Sequence, residues 1–321
     1  MIYNGIFKNK IDDFIKEKTG LGFKYTREKE ILKDFDNFTI KNNFISEFMT
    51  KDIIISWIDS HIGIKLITKK HYGDLIREFG KYLNRHDKIS FILPNKYYPV
   101  KSDFKAYIYS DNELFIFFRT IKQKYSLENE TKQDMMYLIF KLLYITGMRV
   151  SEVLGIRIKN INYNDQIILL ENTKNNVERL IVLKDEIFKE LISYCSKYNK
   201  NMKDYLFTNA KTKDKFTRHM VYANFRIILD LADITHTKHG PRVHDFRHTF
   251  AVHSFKQGID NKVDLNSFLP ILSVYLGHQD IYATEKYLHL TNELYPEIRM
   301  TVETYDNEII PDGKMINYED L

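Results

Sequence analysis

The sequence predicts a mainly α fold with a small β-sheet, divided between two domains. Three observations carry this. Apolar residues recur at three- and four-residue spacing through most of the 321 residues, the signature of amphipathic helices. Two short apolar runs, 166–171 and 179–183, read instead as strands, and they flank a polar, Asn-rich turn. A proline-bearing stretch at Pro94 and Pro99 interrupts the pattern where a first domain of ordinary size would end. A chain of this length divides into two domains and can bury a core in each. The expected division is a helical domain at 1–90, a linker at 91–107, an α+β domain at 108–295 and a tail at 296–321.

In the first domain Ile11, Phe14 and Ile15 share a helix face, and Gly20 and Gly22 end that helix. Residues 25–48 hold one or two short helices. Thr50, Lys51 and Asp52 open another, with Ile54, Trp57 and Ile58 inward. Residues 66–85 form a longer amphipathic helix. Its apolar side carries Leu75, Ile76, Phe79 and Leu83, and its basic side Lys69, Lys70, Arg77, Lys81 and Arg85. Lys69, Lys70, Lys81 and Arg85, with Lys101 and Lys105 of the linker, are candidate contacts to a sugar–phosphate backbone. A solvated helix face is the competing reading.

The second domain opens at Ser110 to Glu113, which has the form of a capping box. Thr131 starts a strong helix through Met135, Leu138, Ile139, Leu142 and Leu143 that ends at Gly147, where glycine permits a tight turn. Arg149 follows, and a further helix starts over 151–154. The two strands come next, with Lys174 on the turn between them. Helices are expected over 185–198 and 216–233, the latter starting near Thr217. Pro241 precedes a helix headed by His244. Residues 259–268 read as a polar excursion. Pro270 sits near the start of a helix through Leu276, and 281–289 form a short helix carrying Tyr287.

Net charge is +5 and unevenly placed. Residues 1–110 carry +6, 111–290 carry +5 and 291–321 carry −6. Two basic segments and an acidic tail fit a nucleic-acid binder whose tail docks on protein, with a lysine-rich solvated surface as the equal alternative. One cysteine, Cys195, excludes an intrachain disulfide framework and fits a reducing cytoplasm. No basic-then-apolar leader opens the chain. Apolar runs such as Ile53 to Ile58 are far too short to cross a bilayer, so no membrane partner is expected.

The chemistry concentrates between His244 and Tyr287. His244 and Arg247, three apart on a helix, share one face. His278 follows a Leu-Gly turn, and Tyr287 comes nine residues later. With Arg149 and Lys174 these residues suit one phosphodiester. Its negative charge repels nucleophiles, so cleavage needs cationic donors on the non-bridging oxygens, a base, an acid and an in-line nucleophile. The expected roles are Arg149 and Arg247 as a forked phosphate clamp, Tyr287 as nucleophile and Lys174 as general acid for the 5′ oxygen. His244 handles the Tyr287 proton or orients the phosphate, His278 adds a hydrogen bond, and Glu152 orients Arg149 or a histidine. Tyrosine suits a reversible reaction, because phosphotyrosine keeps the bond energy. No cofactor, ATP or metal is then required. Taken singly, Lys174 is an exposed loop lysine and His244 a satisfied core histidine. Their joint order and spacing carries the weight.

The run Thr146 to Glu152, Lys174, His244-Asp245-Phe246-Arg247-His248, Leu276-Gly277-His278 and Tyr287 resembles the tyrosine recombinase (phage integrase) family over about 180 residues of the second domain. The first domain resembles, more loosely, the family's helical core-binding (SAM-like) domain. All six expected active-site positions are occupied. The resemblance implies a C-shaped clamp on double-stranded DNA, self-association as a tetramer on two DNA sites, a 3′-phosphotyrosyl link and strand exchange through a Holliday junction. It implies that the acidic tail packs on a neighbouring protomer, and it allows accessory directionality proteins. Phe246 stands where the family often has Leu, and the segment 258–270 is longer than in the simplest members. No arm-binding domain is expected ahead of residue 1, which favours a Xer-like or mobile-element enzyme, cytoplasmic and nucleoid-associated, for DNA integration, excision or dimer resolution. The alternatives are a type IB topoisomerase-like nicking–closing enzyme, a DNA-binding relative without chemistry, and a metal-dependent hydrolase using His236, His239, His244 and His248. The last lacks Cys ligands and the Glu of a His-Glu-x-x-His motif.

Overall fold

The computed structural model describes residues 2–86, 89–100, 105–125, 129–171, 178–209, 212–237 and 239–278, with Thr284, Lys286, Tyr287, Leu290, Thr291, Leu294 and Tyr295 beyond them. The chain forms two compact units, Met1–Asp103 and Phe104–Leu321.

The first unit holds α1 (Lys8–Gly20), α2 (Thr26–Lys41), α3 (Lys51–Ser60) and α4 (Leu66–Arg85). Residues 25–48 thus yield one helix. Phe7, Phe14, Phe35, Trp57 and Phe79 are fully buried at its centre. Several polar groups carried inward find partners, as burial favours, while His71 Nε2 and Tyr98 Oη are buried with none among the described residues. Trp57 Nε1 donates to Asp34 Oδ2 at 2.8 Å. Buried Asp36 accepts the N–H groups of Asn4 and Gly5 at 2.8 and 2.9 Å. Thr50 caps α3 by accepting from the Ile53 N–H.

The start of the 91–107 stretch packs on this unit. Leu93 is fully buried, the Phe91 N–H donates to Met49 O at 2.8 Å, and Arg77 donates to Leu93 O and Pro94 O at 2.6 and 3.0 Å. Pro94 therefore marks extended backbone laid on the core, where no helix periodicity signals burial.

The second unit opens with α5 (Asp111–Gln123), and its capping box is complete: Ser110 Oγ accepts from the Glu113 N–H and Glu113 accepts from the Ser110 N–H. α6 (Glu130–Thr146) is buried along most of its length, including Met136, Ile139, Phe140 and Leu142. α7 (Val150–Val153) is a single turn, shorter than a full helix, and the chain passes through Gly155 into a 3-10 turn at Ile158–Asn160. Among the described residues β1 (Ile161–Asn162), β2 (Ile167–Leu170) and β3 (Arg179–Val182) form an antiparallel sheet in that order. The two-residue β1 is too short to leave a periodicity signal. Ile168, Leu170, Arg179 and Ile181 point inward, with Leu170 paired to Arg179.

α8 (Asp185–Lys197), α9 (Arg218–Leu231), α10 (Asp245–Asp260) and α11 (Leu265–Leu276) complete the unit. The polar excursion is shorter than expected. Asp264 accepts the N–H groups of Asn266 and Ser267 at 3.1 Å each, so α11 starts at Leu265 and contains Pro270. An N-cap carboxylate outweighs a proline six residues in, which forfeits one ladder bond. Thr284, Lys286, Tyr287, Leu290, Thr291 and Leu294 are helical. The tail from residue 296 lies outside the described residues, so its protomer contact does too.

α10 packs beside α6 and is anchored by Phe246. That ring stacks on Tyr109 at 4.6 Å and meets Phe117 at 5.3 Å, Phe140 at 5.7 Å and Phe225 at 6.2 Å. Removing it leaves a cavity at the centre of an aromatic cluster. Phe246→Ala is expected to destabilise the second unit by about 3–5 kcal/mol, measured by urea unfolding of the full chain.

Candidate active site

Two glycine turns frame the site. α6 ends at Gly147 (φ 60°) and α11 at Gly277 (φ 66°), both left-handed. A Cβ at Gly147 would lie 2.4 Å from the Phe250 ring, and one at Gly277 would lie 2.1 Å from Arg179 Nη1. Only glycine fits either place. The turns aim carbonyls inward. Arg247, buried on α10, donates to Gly147 O at 2.8 Å and to Leu276 O at 2.6 Å. Arg149 donates to Gly277 O at 3.0 Å. Two arginines thus stitch the ends of α6 and α11 together.

Glu152 organises the other side. Its carboxylate accepts the Arg149 N–H at 2.7 Å, Arg149 Nη1 at 2.8 Å and Arg179 Nη2 at 2.7 Å. Glu152 and Arg179 are buried, and the Arg149 side chain is 20% exposed. Two guanidinium groups therefore share one carboxylate, and Arg247 adds a third positive charge nearby. Burial and then the Arg149 charge lower the pKa of Arg247 to about 10, so it stays charged at neutral pH. Burial likewise lowers Arg179, with Glu152 opposing the shift. Such a cluster favours an additional anion, and forked donors suit the oxygens of a phosphate.

The Tyr287 side chain is buried against this cluster. Its hydroxyl lies 2.9 Å from His248 Nδ1. Burial pushes its pKa up to about 12, while Arg247 and Arg149 pull it down. His248 is buried, and burial followed by His244, Lys286, Arg247 and His278 pushes its imidazole down to about 3. His244 heads α10 and is exposed on one side. The surrounding protein atoms, then Arg247, Arg149 and Lys286, push it down to about 4. Its ring meets His248 edge-on at 4.8 Å. His278 Nδ1 is 2.6 Å from Thr284 Oγ1, and its ring stacks beside Tyr287 at 6.3 Å.

Arg149, Glu152, His244, Arg247, His278 and Tyr287 thus come together from α7, α10, the turn after α11 and the segment beyond it. Lys174 lies outside the described residues. Of the expected backbone contacts in the first unit, Lys69 pairs with Asp59 at 2.6 Å, Lys81 with Glu78 at 3.0 Å and Arg85 with Glu17 at 2.6 Å. Lys70 is half-buried, Lys105 is exposed and Lys101 lies outside the described residues. His236 and His239 are exposed, and among the described residues no three His, Cys, Asp or Glu converge as a metal site. The sequence reading missed Arg179 and gave His248 no part in the phosphate chemistry. The phase of Arg179 with inward Ile181 and Leu183 is the one signal the sequence holds for it, and it is not decisive alone. His248 stands one helical turn after His244, on the same face.

Fold and site together set a cluster of arginines suited to an oxyanion beside a tyrosine hydroxyl, in a helical unit with a three-stranded sheet. The phage integrase family model matches residues 83–293. The tyrosine recombinase XerD of Rickettsia bellii is 28% identical over 291 residues, 83% of this chain and 88% of that one. The solved XerH site-specific recombinase bound to palindromic difH, a post-cleavage complex, superposes with a TM-score of 0.62 at 21% identity, over 84% of this chain and 77% of that one. A lambda integrase tetramer bound to a Holliday junction gives 0.62 at 15% identity, over 87% and 76%. The chain belongs to the phage integrase family, whose tyrosine recombinases are DNA strand transferases.

Two outcomes follow from this geometry. Gly277→Ala places a methyl group against Arg179 in a left-handed turn. It is expected to cost at least about 1–2 kcal/mol in urea unfolding. The second concerns acid. His248 titrates near 3 when folded against 6.5 when free, so its contribution is complete above pH 6.5 and is lost as pH falls toward 3. Buried Asp245, raised to about 6, has the opposite sign: its contribution is complete below 3.8 and is lost as pH rises through 6. The stability of wild type minus that of His248→Phe cancels the Asp245 effect. That difference should rise with pH between 3 and 6.5, by at most about 1.4 kcal/mol per pH unit, and stay flat above.

Proposed function

We propose that this chain is a site-specific recombinase that cuts and rejoins DNA through a 3′-phosphotyrosyl intermediate. The observation that carries the reading is the pair Arg149 and Arg179 on the carboxylate of Glu152, with buried, charged Arg247 nearby and the Tyr287 hydroxyl beside them. Arg149 and Arg247 clamp the non-bridging oxygens and stabilise the charge that builds on them. Tyr287 Oη attacks phosphorus, the P–O bond to the 5′ oxygen breaks, and Lys174 protonates that oxygen. His278 donates to a phosphate oxygen, and His244 orients the phosphate from the head of α10. Glu152 fixes Arg149 through two hydrogen bonds. The phenolate is a good leaving group, so a DNA hydroxyl reverses the step without ATP or metal.

The helical first unit is proposed to bind the duplex through Lys70, with Lys105, just beyond that unit, as a further backbone contact. Lys69, Lys81 and Arg85 would exchange their surface carboxylates for phosphates, a modest loss because exposed ion pairs contribute about 0–1 kcal/mol. Four protomers would act on two DNA sites, a reading supported by the lambda integrase tetramer on a Holliday junction, in the cytoplasm at the nucleoid. Integration, excision and dimer resolution use the same chemistry. A nicking–closing enzyme would use it without a second DNA site.

The test is covalent trapping. Wild type and Tyr287→Phe are incubated with duplexes spanning the gene's flanking junctions, without metal or ATP, and run on a denaturing gel. Wild type is expected to give a protein–DNA band blocked at the 3′ end, and Tyr287→Phe none. Arg247→Lys should lower the rate by about 10²–10³-fold, because a point charge cannot replace a fork. A band in Tyr287→Phe would overturn the assignment. A second duplex that leaves product topology unchanged would favour nicking–closing.

A further inference from the structure

The Tyr287 hydroxyl is within hydrogen-bond distance of a residue outside the six-residue set. Its Oη is 2.9 Å from His248 Nδ1, and the two side chains are 1% and 3% exposed. The rings are 5.6 Å apart, and His248 is held edge-on by His244. Of the neighbouring histidines, His278 Nδ1 faces Thr284 Oγ1, and His244 stands at the exposed head of α10.

We propose that His248 is the general base of the cleavage step. The inference rests on reading Tyr287 as the nucleophile. His248 carries its proton on Nε2, so Nδ1 accepts from the phenol. As Oη bonds to phosphorus, the hydroxyl proton passes to Nδ1 and the P–O5′ bond breaks, its oxygen protonated by the general acid. In rejoining, the 5′ hydroxyl returns its proton to the general acid's conjugate base as it attacks phosphorus, the phenolate leaves, and His248 returns its proton to Oη. His244 is then free to serve the phosphate alone.

The surroundings tie this transfer to substrate. His244 and Arg247 face His248 from α10, Lys286 and Tyr287 from the segment after α11, and His278 from its turn. These neighbours and burial keep the imidazole neutral, and burial keeps the proton on Tyr287. A phosphodiester held by Arg149 and Arg247 brings a negative charge that offsets the cations. Imidazolium then becomes stable beside it. The nucleophile is activated where DNA is bound and stays protonated elsewhere.

The test uses the full chain and the duplex cleaved by wild type, with the mapped phosphate in two forms: ordinary, or with sulfur as the 5′-bridging atom, which needs no general acid to leave. His248→Asn keeps an acceptor near the Nδ1 position but cannot take a proton, and His248→Ala keeps neither. Both are expected to bind DNA as wild type does and to form the covalent adduct about 10²-fold or more slowly on both substrates. Added imidazole should accelerate His248→Ala but not His248→Asn. If His248→Asn cleaves at the wild-type rate, His248 only positions Tyr287 and the inference fails. It fails equally if bridging sulfur restores the rate, which would place His248 at the leaving group. Should His248→Ala fail to fold, His248→Asn alone decides. No adduct with wild type would instead overturn the phosphotyrosyl reading itself.

Discussion

The site depends on keeping Arg247 charged while it is buried. A guanidinium removed from water costs several kcal/mol unless its N–H groups are met and its charge is compensated. Here the Gly147 and Leu276 carbonyls meet the donors, and Glu152 supplies part of the charge from the far side of Arg149. On the proposed reading, a phosphate monoanion completes that compensation, and the cluster that is electrostatically costly in the folded protein is what receives the phosphodiester.

Much of the local structure follows from this requirement. Carbonyls can be aimed at Arg247 only where helices end, and the ends of α6 and α11 do so through left-handed glycines. Phe250 fills the space a side chain at Gly147 would take, and Arg179 the space at Gly277. The one-turn α7 sets Arg149 and Glu152 three residues apart, so one carboxylate caps the turn and grips the arginine. Phe246, next to Arg247, ties the start of α10 into the aromatic core and fixes where the guanidinium arrives.

The sequence made legible what local physics decides. Helix faces, the Ser110 and Thr50 caps, and the glycine ends of α6 and α11 are local signals, and each appears as expected. The gathering of Arg149, His244, Arg247, His278 and Tyr287 was legible through their order and type. Other features depend on tertiary context. The two-residue β1 exists because β2 pairs with it. Leu93 lies on extended backbone, where burial has no period. The start of α11 turned on Asp264 outweighing Pro270. Arg179 was masked because an arginine opening a strand ordinarily faces water, and its inward phase acquires meaning only once Glu152 lies beneath it. His248 looked like a spare histidine because the tyrosine it touches is 39 residues away.

The most direct measurement is mass spectrometry of the trapped covalent complex after protease and nuclease digestion. The account requires the nucleotide on the peptide containing Tyr287, joined through a 3′ phosphate to the phenolic oxygen. A nucleotide on any other of the 22 tyrosines, or one joined through a 5′ phosphate, would contradict the geometry proposed for Arg149, Arg247 and Tyr287.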